Sequence, residues 1–158
     1  MVLVISGADD ATFVMRCCAA GRDTDGAVLH MNGPERIPAA LDTAVFAELA
    51  AALPHGKMQE LVGLFVCESD FYMTEIAARR AEGDLESVAR LARNIVAIAG
   101  NLGAARARAL ARQLERVCRN RDKAHSYRLI SEMSQACRDA AGEMRDWLAQ
   151  ETALLHIA

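Results

Sequence analysis

The sequence predicts an all-α protein, an antiparallel up-down four-helix bundle with one short extra N-terminal helix, preceded by a small strand–helix–strand extension. Three observations carry this. Apolar residues recur at i, i+3, i+4 and i+7 from Leu41 to near Glu151, the spacing of helices with one buried face. Aromatics are only 4% of the 158 residues while hydrophobic residues reach 53%. Packing must therefore run through small and aliphatic side chains, which suits helices better than sheets. The breaks between periodic segments are short, and short connections make consecutive helices antiparallel.

Taken in order, residues 1–38 read as an accessory extension and residues 39–155 as the helical bundle. Val2–Ile5 and Ala27–Met31 are expected as short strands, followed by the turn chemistry of Ser6-Gly7 and Asn32-Gly33-Pro34. Between them Asp9 or Asp10 is placed to cap a short helix through about Ala20, closed by Gly21. Ile37-Pro38 marks the boundary. Asp42 is the expected N-cap of the first bundle helix, with Val45, Phe46, Leu49 and Leu53 at helical spacing and Pro54-His55-Gly56 as its stop. The next segment, about Lys57 to Arg80, puts Leu61, Leu64, Phe65, Met73 and Ile76 on one stripe.

Gly83 breaks that segment and Asp84 caps the third, whose buried face is Val88, Leu91, Ala92, Ile95, Ala99 and Leu102. Gly103 turns the chain into a fourth segment to Arg119, with Leu110, Leu114 and Val117 inward. Asn120-Arg121-Asp122 makes a tight connection to a long last helix carrying Ile130, Met133, Cys137, Ala140, Met144 and Trp147.

Composition excludes several classes. Net charge is −3 with 25% charged residues, so no overall field favours nucleic acid or an anionic membrane. The five cysteines form no CxxC pair and no Cys/His cluster with zinc spacing. The adjacent Cys17 and Cys18 read as two small apolar residues rather than a soft-metal or redox site. No cofactor and no metal is expected. The opening Met1-Val2-Leu3-Val4-Ile5 lacks a basic flank and is too short for a signal peptide. No apolar run reaches the roughly 18 residues of a membrane span, so the expected compartment is the cytoplasm.

Gly83-Asp84, Ala92, Ile95, Asn101-Leu102-Gly103-Ala104 and Leu114-Glu115 stand in one register. With the upstream Leu41-Asp42 start and the Phe65 segment, this pattern resembles the histidine phosphotransfer (HPt) domain over about residues 40–150. That signature runs from a GD turn through an apolar helix with A-H-x-L-K-G-S to N-L-G-A and a helix ending L-E. An N-L-G-A alone is a weak signal; with the flanking blocks and helix lengths it becomes specific. The resemblance implies a phosphorelay protein whose partner is a response-regulator receiver domain or a histidine kinase, acting as monomer or homodimer.

The departures fall at the chemistry. Arg93 stands where the resemblance expects the phosphate-accepting histidine, Val96 where it expects lysine, and Ala97 where it expects glycine. At about 100° per residue, positions 93, 97 and 100 lie opposite Ile95, with 96 at the edge. A neutral imidazole nitrogen attacks phosphorus; a guanidinium stays protonated with delocalised lone pairs and is a poor nucleophile. Losing lysine removes a charge that would hold the transferring phosphoryl group. An added methyl at Ala97 crowds the approach of a receiver loop.

The expectation is therefore a catalytically inactive, pseudo-phosphotransfer protein, not an enzyme, docking a partner through Glu86, Arg90, Arg93, Val96, Ala97 and Gly100. His30, His55, His125 and His156 read as solvated or capping histidines, none mid-helix with a lysine three residues on. The Arg108, Arg112, Arg116 and Arg119 stripe reads as a solvated helix face. Two other readings remain open: an active phosphotransfer protein using a non-standard residue, and a helical interaction or dimerisation domain unrelated to phosphorelay.

Overall fold

The computed structural model describes residues 3–5, 13–15 and 38–155. The chain divides into two units, Met1–Arg36 and Ile37–Ala158. In the first, β1 (Leu3–Ile5) pairs antiparallel with β2 (Phe13–Met15), Val4 opposite Val14. This corrects the strand–helix–strand expectation. Phe13-Val14-Met15 lies inside the span predicted as helix, but an aromatic followed by a β-branched residue favours a pleated ladder over a helical turn. The expected strand Ala27–Met31, and Cys17, Cys18 and His30, lie outside the described residues.

In the second unit the described residues form five helices: α1 (Thr43–Ala52), α2 (His55–Ala81), α3 (Leu85–Asn101), α4 (Ala105–Arg119) and α5 (Lys123–Leu155). Helix α2 packs on α3, α3 on α4, α4 on α5, and α5 returns to α2, closing a four-helix bundle. Asp42 caps α1, its carboxylate accepting from the Ala44 and Val45 N–H groups. Phe46 then buries completely, its ring edge-on to Trp147 at 5.4 Å. Proline cannot donate into a helix, so α1 ends before Pro54. That residue is the N-cap of α2, which begins two residues earlier than expected and takes His55 and Gly56 into its first turn.

The three corners of the bundle share one hydrogen-bond design. Asp84 N donates to Arg79 O, Ala104 N to Ala99 O, and Asp122 N to Val117 O, each spanning five residues back. This is the Schellman closure, which needs a left-handed residue just past the helix end. Gly83 (φ 78°) and Gly103 (φ 73°) supply it at two corners; Arg121 (φ 58°) supplies it at the third. Gly103 has a second constraint. A Cβ there would lie 2.9 Å from Asp42 O, and its own carbonyl accepts from Asp42 N at 2.7 Å. The Gly of Asn101-Leu102-Gly103-Ala104 thus locks the α3–α4 corner against the start of α1.

Inward packing is alanine-rich. Ala92, Ala99, Ala104, Ala107, Ala111, Ala136 and Ala140 have no exposed surface, alongside Ile76, Val88, Ile95, Leu114, Met133 and Met144, and Phe65 is buried with them. Each large side chain buried contributes about 1.5–3 kcal/mol, and the alanines let helix backbones approach. Stripe assignments on three helices need correction; on α3, Leu91 only flanks a buried face that includes Ala89. On α2, Leu64 is 40% exposed and Met73 half-buried, while Met58, Val62, Ser69 and Tyr72 join Leu61, Phe65 and Ile76 inside. Leu64 sits about 100° round the helix from Phe65. On α4, Leu110 and Val117 only flank the core; Ala107, Ala111, Leu114 and Cys118 fill it.

Candidate docking face on α3 and α4

The outer face of α3 begins at its cap. Asp84 Oδ1 accepts from Ser87 N, and Ser87 Oγ accepts from Arg90 Nη2 at 2.7 Å. The Ser87 side-chain and backbone hydrogen bonds hold the Asp84 carboxyl below the usual carboxylate range. Beyond the cap, Glu86, Arg90, Arg93 and Ala97 are exposed, and Val96 and Gly100 are half-buried. The helix inclines these six residues away from the side that buries Val88, Ala92, Ile95 and Ala99.

Arg93 has a partner that the residue pattern did not indicate. Its Nε and Nη2 both donate to Glu115 Oε1 on α4, at 3.0 and 2.7 Å. Arg119 Nη2 reaches the same oxygen at 2.8 Å. The Arg93 side chain is 63% exposed and that of Glu115 16%. Two guanidinium groups thus share one carboxylate, and the cluster keeps an excess positive charge. Pairs this exposed contribute about 0–1 kcal/mol. One signal was legible beforehand, the i, i+4 spacing of Glu115 and Arg119.

Arg108 lies across Gly100, where a Cβ would come within 3.3 Å of its Nε. Arg108 and Glu115 therefore both border α3, and Arg112 lies one turn from each on the same side of α4. The arginine stripe on α4 is exposed, as a solvated face is, and it also borders α3. Arg119 meets Arg93 at Glu115 Oε1, and Arg108 lies over Gly100 toward the other end of α3. Arg116 is exposed as well.

Two of the histidines fall among the described residues. His55 Nε2 lies 3.0 Å from Thr152 Oγ1 and 3.1 Å from Gln59 Nε2, with Nδ1 3.6 Å from Glu151; it ties α2 to α5. His125 is 62% exposed, its Nδ1 2.5 Å from Asp122 Oδ2. The His125 backbone N–H, then its ring, hold the Asp122 carboxyl below the usual range. Burial pushes the Cys118 and Cys137 thiols up to about 11, which removes them as nucleophiles near neutral pH. Among the described residues no group of His, Cys, Asp and Glu is placed to hold a metal ion, and no helix is long and apolar enough to cross a membrane.

No curated protein and no solved structure matches the chain. The family model described as Hpt domain matches residues 60–153, from the second turn of α2 almost to the end of α5 and more than half of the chain. On that match, and on a bundle whose corners fall at Gly83, Gly103 and Arg121, the chain belongs to the Hpt domain family, the phosphotransfer domains of phosphorelays.

Proposed function

We propose that this protein is a catalytically inactive member of its family, which binds a receiver domain or a histidine kinase in the cytoplasm without carrying phosphate. The observation that carries the reading is Arg93. It occupies the solvent side of α3 where the family's histidine is expected, and it is already engaged by Glu115. A guanidinium in that place docks; it does not accept phosphoryl groups. Arg90, Arg108 and Arg112 extend positive charge along the ridge on either side, complementary to the acidic pocket of a receiver. Val96, Ala97 and Gly100 supply a low-relief apolar patch between them.

The test is to incubate the protein with a panel of phosphorylated receivers and follow both label and binding. Binding without label is expected, with Arg93→Glu abolishing it through charge reversal. Restoring the family residues in the triple variant Arg93→His, Val96→Lys, Ala97→Gly is expected to make the chain accept label. Absence of binding to any receiver or kinase would leave a helical interaction domain outside phosphorelay as the better account.

A second reading rests on His125. Asp122 Oδ2 lies 2.5 Å from its Nδ1 on a side chain 62% exposed; with the proton held there, Nε2 is the nitrogen that would attack. Label on the wild-type chain that disappears in His125→Gln overturns the inactive reading and replaces it with phosphotransfer at an unusual position.

A further inference from the structure

We propose that the cleft where α3 meets the α4–α5 corner binds a small ligand carrying two or more phosphate charges, pyrophosphate or a nucleoside diphosphate. The cleft has a volume of about 650 Å³, within the range of small-molecule sites, roughly 300–1,000 Å³. Five cations line it: Arg90, Arg93, Arg119, Arg121 and Lys123. Three carboxylates share the lining, and two are committed within the protein. Asp84 is held by Ser87, and Glu115 is divided between Arg93 and Arg119. Five cations against three carboxylates leave the lining with a surplus of positive charge.

The geometry favours phosphate over a single carboxylate. Because Arg93 and Arg119 reach the same Glu115 oxygen, at 2.7 and 2.8 Å, two guanidinium groups stand side by side with one carboxylate between them. Guanidinium forks match the oxygens of phosphate, and several such donors suit a ligand with more than one phosphoryl group.

Arg121 adds a separate observation. The two equivalent corners use glycine for their left-handed residue, but this corner uses arginine at φ 58°, a conformation that disfavours any Cβ. Asn120-Arg121-Asp122 thus accepts backbone strain that glycine would remove. What it gains is a fifth cation in the cleft. Strain of this kind collects where a side chain has work beyond the fold.

Arg90 and Arg93 also belong to the docking face proposed above, but the cleft's volume and charge stand apart from that reading. The experiment is calorimetric titration of the full chain with sodium pyrophosphate, and with ADP in a parallel arm, at constant ionic strength. Saturable pyrophosphate binding is expected, weakened about tenfold or more in Arg119→Glu and unchanged in Arg145→Glu, an exposed arginine outside the cleft. Circular dichroism confirms that Arg119→Glu keeps its helices.

The sharper variant is Arg121→Gly. It should raise the thermal midpoint by about 3 °C while weakening pyrophosphate binding, a pairing that a purely structural role does not give. ADP binding as well as or better than pyrophosphate supports the site equally, the second case adding contacts to the base. No saturable binding of either probe, equal loss in Arg145→Glu, or Arg121→Gly binding like wild type would overturn the proposal. Receiver binding that persists through such a failure shows that the docking face stands without it.

Discussion

On α3, Val88, Ala92, Ile95 and Ala99 have no exposed surface, whereas the Arg93 side chain, one residue from Ala92, is 63% exposed. The inward residues are held by shape. Each fills space against α2 or α4, and a change of one methylene is felt throughout a close-packed interior. The outward residues are held by no such demand. Arg93 touches one carboxylate and water, Ala97 is exposed, and Gly100 lies beneath an arginine that is free to shift. The same helix thus keeps a family scaffold on one side and has room for rebuilt chemistry on the other. What the difference teaches is that a substitution on the outward side of α3 carries little stability penalty, whereas one on the inward side is felt by the whole bundle.

The largest test of that contrast is Ile95→Ala, expected to lower unfolding stability by about 3 kcal/mol in urea denaturation. Arg93→Ala should stay within about 0.5 kcal/mol of wild type. Equal losses would break the comparison outright. Next in size is Gly103→Ala, where a left-handed φ and a 2.9 Å approach to Asp42 O together predict a loss of about 2 kcal/mol. Gly100→Ala should be far milder, since only the flexible Arg108 side chain must move; thermal unfolding of the pair measures the gap.

A double-mutant cycle on Arg93 and Glu115 should return a coupling of about 0.5 kcal/mol that vanishes in 1 M salt. A larger, salt-insensitive value would mean that Arg93 is structural after all. The smallest expected effect is acidic. Asp84 and Asp122 both have lowered carboxyl pKa values in the folded chain. Their contribution is present above the unfolded value, about 3.9, and drains away as pH falls through the folded values. Asp84→Asn, which keeps a capping oxygen, should flatten that acid limb slightly in a pH series of thermal midpoints.

Much of the bundle was legible because helix signals are local. Asp42 and Asp84 cap by their own side chains, and Gly83 and Gly103 end helices through a backbone conformation that glycine alone adopts freely. The long stripe from Ile130 to Met144 read correctly for the same reason, since periodicity and burial coincide there. The misreadings share a cause too. On α4 the core falls on Ala107 and Ala111 rather than Leu110 and Val117, because alanine carries little hydrophobic weight but allows close helix approach. In the extension, Phe13–Met15 became a strand through pairing with Leu3–Ile5, a partner that helix-capping logic ignores.

The candidate face divides the same way. That Arg93, Ala97 and Gly100 share one outward side followed from 100° per residue, and the resemblance itself followed from motif spacing. That Arg93 meets Glu115, 22 residues away, did not. Nor did the gathering of Arg119, Arg121 and Lys123 beside it. The sequence by itself determined the helices, their ends and which side of each is apolar, because those depend on neighbours within a turn or two. Only the tertiary structure decided which charges face one another across α3 and α4, because charge pairing between helices depends on how the core sets their register and separation.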